Sequence, residues 1–178
     1  MTGTPFHEAL KQYIYEPLQM LNSSMLHYSK PLDPTTEDLA DFYADHNKLN
    51  QYQGYASLDY SGGGVVSTGE DLLKFMRALT AYQLVKQETL EKMMKDKVKY
   101  ELGIDYGYGV MQFKHVPLLM PKKFTIWGHA GATGAFMFYQ PTLDAYMIGT
   151  FNDFSYEKKA VRFMLMKVIS QLAKYKER

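Results

Sequence analysis

Apolar side chains recur at helical spacing through the first hundred residues and at alternate positions after them. In the first part the spacing predicts four helices, within residues 5–17, 35–44, 65–82 and 87–95. The third is the best defined, because an apolar stripe follows a pair with capping-box spacing, either Ser67 with Glu70 or Thr68 with Asp71. Residues 1–100 are therefore predicted to be mostly helical.

The pattern changes after residue 100 to short runs rich in β-branched and aromatic side chains. These runs predict strands within residues 106–113, 124–129, 135–140 and 145–151. Proline and glycine lie between them, which is typical of an antiparallel meander. A final apolar face predicts a helix over 155–175 that packs on the sheet. The predicted class is α+β, an antiparallel sheet with flanking helices and a C-terminal helix, in one domain or a fragment of one over 1–178, with the helical part at 1–100 and the strands at 101–178.

Charge and residue content exclude several classes of function. The chain has 20 basic and 19 acidic residues and a net charge of +1, so it offers no basic surface for nucleic acid. It has no cysteine, which excludes disulfides and thiolate catalysis. Its five histidines show no metal-site spacing, and the glycines at 62–64 are not followed by Gly-Lys-Ser/Thr. We expect no nucleic-acid partner, no metal and no cofactor.

No sequence segment has the features of a membrane anchor or a secretory signal. None approaches the roughly 18 uninterrupted apolar residues of a membrane span. The first residues lack a basic start followed by an apolar run. Because a helical pattern is already present at residues 4–6, we hypothesise that Met1 lies inside a longer protein.

Four segments, in order, resemble the penicillin-recognising serine hydrolases, a family of class C β-lactamases, D-alanyl-D-alanine carboxypeptidases and esterases. The first resembles a family helix that ends at Pro-Leu-Gly-Met, with Gln19 in place of the glycine. The second resembles the Ser-Thr-x-x-Asp-Leu helix entry, the third a Tyr-Gly-Leu-Gly-Trp strand, and the fourth a Gly-His-x-Gly-x-x-Gly-Gly strand pair. In this sequence they read TGTPFHEALKQYIYEPLQM (2–20), GGGVVSTGEDLLKFMRAL (62–79), YGYGVMQF (106–113) and WGHAGATGAFMFYQPTLD (127–144).

The resemblance implies a partial β-lactamase/transpeptidase-like fold and an acyl-transfer site built from three motifs. These are Ser-x-x-Lys with the nucleophile, Tyr-x-Asn, and Lys-Thr-Gly or its His-x-Gly form. Only the third is present, as His129-Ala130-Gly131, and the other two lie upstream in family members. The one Ser-x-x-Lys, Ser155 to Lys158, follows the motif strand and suits a helix cap better. We predict no nucleophile in this chain.

The third motif suits substrate binding at a strand edge. Two backbones can approach closely where one residue lacks a side chain, a role that Gly131 fits, although ordinary turn geometry explains Gly131 and Gly134 equally well. His129, two residues earlier, points to the same face and can act as a neutral donor or a cation in catalysis. The resemblance implies that Ala132 N–H is one oxyanion-hole donor and that Asn152 lies near a substrate carboxylate.

These residues support two hypotheses of function. The first is the C-terminal part of a serine hydrolase that acts through an acyl-enzyme on D-amino-acid peptides, esters or β-lactams, and is inactive alone. Ala130 lacks the hydroxyl of Lys-Thr-Gly, which favours a peptidase or esterase relative. The alternative is a noncatalytic module that binds cell-wall peptide or a protein partner. The resemblance also implies an extracytoplasmic site at the cell envelope, and an unpaired sheet edge predicts self-association.

Overall fold

The computed structural model describes residues 3–33, 39–50, 52 and 60–176, and the chain divides into two compact units. The first unit is Met1–Leu84 and the second is Val85–Arg178. The helix predicted at 87–95 belongs with the strands of the second unit. No helix in the described ranges is long and apolar enough to cross a membrane. That 1–178 forms a single domain or a fragment of one stays a prediction.

The described residues of the first unit form two helical segments and four strands of two residues each. The elements are α1 (Phe6–Leu10), which continues into a π-helical turn (Lys11–Tyr15), β1 (Ser24–Met25), β2 (Tyr43–Ala44), β3 (Asn47–Lys48), β4 (Val65–Val66) and α2 (Gly69–Thr80). The strands form two antiparallel pairs, β1 with β4 and β2 with β3.

The predicted cap of α2 is confirmed, and it is Thr68 rather than Ser67 that caps. The Thr68 hydroxyl accepts the N–H of Asp71 at 3.3 Å. The Asp71 carboxylate is 1% exposed and accepts hydrogen bonds from Asn22 N–H at 2.8 Å and the Ser23 hydroxyl at 3.0 Å. The Lys74 ammonium lies 2.8 Å from it. A buried carboxylate held by these donors ties α2 to the turn before β1.

The helix predicted at 35–44 is wrong over residues 39–44, because residues 39–42 are not helical and β2 and β3 form a hairpin after them. Residues 34–38 lie outside the described part of the chain. The two residues that join the strands, Asp45 and His46, have φ of 46° and 69°. Two successive positive φ values give the tight turn whose twist matches paired strands, and a helix cannot contain them.

The second unit is one six-stranded antiparallel sheet with helices before and after it. The elements are α3 (Gln87–Lys95), β5 (Val98–Glu101), β6 (Ile104–Tyr106), β7 (Met111–Phe113), a 3-10 turn (Lys122–Phe124), β8 (Ile126–Ala130), β9 (Phe136–Gln140), β10 (Ala145–Gly149), a second 3-10 turn (Phe154–Tyr156) and the C-terminal helix, which is α-helical over Glu157–Phe163 and Ser170–Lys176 and π-helical over Met164–Ile169. The strand order is β10-β9-β8-β7-β6-β5, so each strand pairs with its neighbour in sequence, as a meander requires.

The sheet has two strands more than its sequence pattern predicted. The run at 106–113 divides into the end of β6 and all of β7, because a turn closed by the hydrogen bond from Gly107 N–H to Val110 C=O separates them. β5 was missed because all four of its residues are exposed, which leaves no alternation to detect.

The core of the second unit lies between the sheet and the C-terminal helix. Its buried members are Phe113, Phe124, Ile126, Phe138, Met147, Met164 and Ile169. Val161, Leu165 and Val168 of the predicted helix face pack against them, whereas Leu172 is 38% exposed. The predicted α+β class, with an antiparallel sheet and a C-terminal helix packed on it, is confirmed.

Candidate functional site

The C-terminal end of β8 has a strand partner on one side only among the described residues. β7 pairs with β8 from Ile126 to Gly128 and then stops. β9 continues to pair through His129 and Ala130. The hydrogen bond from Gly131 N–H to Ala135 C=O, 2.8 Å long, extends that side further. The motif residues therefore form a short stretch of open strand edge, which can accept an extended backbone.

The His129 side chain is held by a tyrosine from a different strand. The Tyr106 hydroxyl lies 2.5 Å from Nε2 of His129, and the two rings meet edge to face with centroids 5.5 Å apart. His129 is half-buried. A hydrogen bond together with a ring contact restricts the imidazole to one orientation, so the ring is placed before any ligand arrives.

Tyr106 is itself fixed by the turn that follows it. Tyr108 N–H donates to Met93 C=O at 3.0 Å, at the end of α3. A Cβ on Gly107 would lie 2.0 Å from the same carbonyl oxygen, so only glycine fits there. Tyr106 also pairs with Val98 of β5 and Met111 of β7. Its hydroxyl is thus presented to His129 from a rigid strand end.

Three glycines of this region differ in whether the surrounding structure leaves room for a side chain. A Cβ on Gly128 would lie 2.0 Å from Met137 O, so the close approach of β8 and β9 requires it. Gly134 has φ 74° in the turn and lies under the Cβ atoms of Phe151 and Tyr156. A Cβ on Gly131 would meet only Ala135, with its Cβ at 3.6 Å, an ordinary contact. Neither the turn nor the packing of the described residues requires glycine at 131.

The two remaining predicted site residues lie in adjoining loops. Ala132 is exposed in the turn after β8, and its N–H has no hydrogen-bond partner in the described part of the chain. Asn152 has φ 53° and accepts a 2.7 Å hydrogen bond from the Thr150 hydroxyl. Its neighbour Asp153 donates its N–H to Thr133 C=O at 2.9 Å. That contact places the loop of Asn152 against the turn of Ala132.

The sequence matches the family model Beta-lactamase over residues 1–170. That match covers nearly the whole chain. The chain belongs to the Beta-lactamase family. No curated protein matches it. The site described above is therefore that of a Beta-lactamase family chain.

Solved structures with the same fold are about twice as long as this Beta-lactamase family chain. They include D-amino acid amidase from Ochrobactrum anthropi SV3 complexed with L-phenylalanine amide, with 18% identity, a TM-score of 0.71 and coverage of 99% of this chain and 53% of that one. D-stereospecific amidohydrolase from Streptomyces sp. has 20% identity and a TM-score of 0.67, and the match covers 94% of this chain and 50% of that one. Penicillin binding protein from Bacillus halodurans has 20% identity and a TM-score of 0.67, and the match covers 96% of this chain and 51% of that one. The chain spans about half the length of the structures that it matches.

Ser155, the one serine with a lysine three residues later, lies in an exposed 3-10 turn. Its N–H donates to the Asp153 carboxylate at 2.7 Å, so the cap of this turn is Asp153 and the predicted capping role of Ser155 is wrong. That this Beta-lactamase family chain carries no nucleophile stays a prediction.

The carboxylate of Asp105, next to Tyr106 on β6, forms ion pairs with two lysines. The hydrogen bond from Lys114, supported by Lys97 at 3.3 Å, holds the pKa of Asp105 below its usual range.

In the described ranges no group of three or more His, Asp or Glu side chains is placed to hold a metal ion. A shallow depression lined by Leu172 and Tyr175 lies on the C-terminal helix, and none of the predicted site residues lines it.

Tyr106 is the contact of this site that the sequence reasoning missed. It was recognised only as part of a strand that resembles the Beta-lactamase family. The contact joins residues 23 apart on strands that have β7 between them, so no local spacing reveals it. Gly107 was the one available signal, since a glycine inside a strand pattern often marks a place where another backbone approaches closely, as Met93 does here.

Proposed function

We propose that this chain supplies the substrate-binding strand of a hydrolase that acts through an acyl-enzyme, with the nucleophile on a part of the protein outside this sequence. The observation that carries the proposal is the open edge of β8 at His129 and Ala130, followed by a glycine that the chain does not need for its own packing. Family membership and the fold support the same proposal.

In the proposed mechanism the substrate backbone lies along this edge. An extended amide pairs with the main chain beside Ala130, and Gly131 leaves the space for it. Ala132 N–H, exposed and unpaired within the described ranges, donates to the oxygen on which negative charge develops. His129 orients the substrate by a hydrogen bond and supports proton transfer. Asn152, in the adjoining loop, helps to hold a substrate carboxylate.

The proposed substrates are amides, peptides or esters of D-amino acids, with β-lactams less favoured. Two of the structures with this fold are named D-stereospecific amidohydrolase and D-amino acid amidase. Ala130 has no hydroxyl to bind the carboxylate of a β-lactam, which supports the same preference.

We also propose that the complete protein acts at the cell envelope, and its recovery in the cytosolic fraction of the native cell would contradict this.

Covalent labelling tests the proposal. The 178-residue chain and the complete polypeptide encoded by its reading frame are each incubated with a fluorescent penicillin or a fluorophosphonate, and their masses are measured. We expect labelling of the complete polypeptide and none of the 178-residue chain. Stoichiometric labelling of the 178-residue chain would place the nucleophile within it. A complete polypeptide that binds peptide but is never labelled would instead support the noncatalytic module.

A further inference from the structure

We infer that Tyr106 is a positioning residue that selects the tautomer of His129 and makes Nδ1–H the group that meets the substrate. The inference takes its substrate from the proposed function. The tautomer and the free Nδ1 follow from the geometry of the Tyr106–His129 contact. Tyr106 does not touch the reacting atoms in this scheme. It acts through the imidazole, by engaging one ring nitrogen and leaving the other available.

The direction of the hydrogen bond decides which nitrogen carries the proton. The Tyr106 hydroxyl and His129 Nε2 are 2.5 Å apart, a short separation for this pair of atoms. The phenol oxygen is a weak acceptor because its lone pair is delocalised into the ring, whereas the imidazole nitrogen is a strong acceptor. Tyr106 therefore donates to Nε2, and the neutral ring carries its own proton on Nδ1.

The second ring nitrogen has nothing else to bind in this part of the protein. Within the described ranges no hydrogen-bond partner of His129 Nδ1 is present. His129 lies on β8 just past the last residue that pairs with β7, where the strand has only β9 as a partner in the described ranges. A neutral Nδ1–H at that edge selects a hydrogen-bond acceptor, so the matching substrate group is a carbonyl or carboxylate oxygen rather than an amine.

The placement of Tyr106 suits a positioning role because its strand cannot shift easily. β6 is paired on both sides, and the turn after Tyr106 is pinned to the end of α3 through Met93. Tyr108, two residues later, is 64% exposed. A Tyr108→Phe change removes the same hydroxyl from a neighbouring tyrosine and is the matched control.

Nitrogen-15 spectra of histidine-labelled complete polypeptide test the inference at about pH 9, where an ordinary imidazole is neutral. The His129 signals are assigned by their loss in His129→Gln. We expect a protonated-nitrogen shift at Nδ1 and an unprotonated shift at Nε2. In Tyr106→Phe the ratio of the Nδ1–H to the Nε2–H form should fall about tenfold, the effect of losing one hydrogen bond. Tyr108→Phe should leave that ratio unchanged.

Two results would overturn the inference. One is a wild-type spectrum with the proton on Nε2, and the other is an unchanged ratio in a folded Tyr106→Phe variant. The wild-type spectrum decides the donor direction even if the variant does not fold. The proposed function fails separately, if His129→Gln leaves hydrolysis by the complete polypeptide unchanged. If the inference and the proposed function are both correct, Tyr106→Phe should lower kcat more than it raises KM, because substrate still binds to the strand edge.

Discussion

Gly128 and Gly131 lie three residues apart in the same segment, yet only Gly128 is required by the packing of the chain itself. We predict that Gly128→Ala destabilises the protein strongly and that Gly131→Ala does not. A Cβ added at position 128 would lie 2.0 Å from Met137 O and 2.7 Å from Phe138 Cα, both of them backbone atoms that cannot rotate away. At position 131 the new Cβ would lie 3.6 Å from Ala135 Cβ, within ordinary contact distance.

The size of each effect follows from these distances. Relief of the clash at position 128 requires β8 and β9 to separate by more than their hydrogen bonds allow, so we expect the upper end of overpacking costs, about 3 kcal/mol. For a chain of this length that is a fall in Tm of about 6–12 °C. Gly131→Ala should change the free energy of unfolding by less than about 0.5 kcal/mol.

Urea unfolding followed by tryptophan fluorescence measures both variants. The chain has one tryptophan, Trp127, which lies on β8 and packs against Tyr139, so its emission reports directly on the strand. A Gly128→Ala midpoint equal to that of the wild type would refute the packing argument. An equally large loss in Gly131→Ala would mean that position 131 needs glycine for folding and would remove the reason to assign it to substrate binding.

Three further predictions concern stability and association. Asp71→Ala leaves buried donors unpaired and should lower the free energy of unfolding by about 3 kcal/mol, whereas Glu70→Ala, next to it and exposed, should have little effect in the same urea assay. Burial raises the pKa of Tyr15 to about 12, and its hydroxyl has no partner among the described residues, so Tyr15→Phe should add about 1 kcal/mol. Because the unfolded chain loses this proton first, wild-type stability should fall between pH 10 and 12, and Tyr15→Phe should remove that part of the decline. A variant less stable than the wild type at neutral pH would contradict the stability gain, and an unchanged decline in the variant would contradict the pH dependence. The exposed edge strand β5, with Val98 68% exposed, favours self-association of the 178-residue chain, and a monodisperse monomer at high concentration in light scattering would be evidence against it.

The sequence was sufficient where a local pattern decides the structure. The helix Gln87–Lys95 has the predicted bounds, and the capping residue Thr68 was one of two predicted alternatives. Strands β8 to β10 follow from alternation between turn residues, because one face of each is buried. In these elements the local signal and the tertiary environment agree.

The sequence was not sufficient where pairing between distant residues decides the structure. β5 carries no alternation because every one of its residues is exposed, and only its register with β6 makes it a strand. The contact between Tyr106 and His129 depends on where β7 ends. The different roles of Gly128, Gly131 and Gly134 depend on how closely other atoms approach each one.

The rate of acylation of the complete polypeptide by a fluorescent penicillin or a chromogenic D-amino-acid amide tests the central claim most directly, in wild type and in Gly131→Val. Gly62→Val is the matched control, because a Cβ there would meet nothing within 4 Å. If substrate pairs with the edge of β8, Gly131→Val should lower the rate by about 10- to 100-fold, the loss of one or two hydrogen bonds in the bound state. Cooperative unfolding of the same variant in urea shows that the loss is not one of folding. An acylation rate in Gly131→Val equal to that of the wild type and of Gly62→Val would contradict the claim.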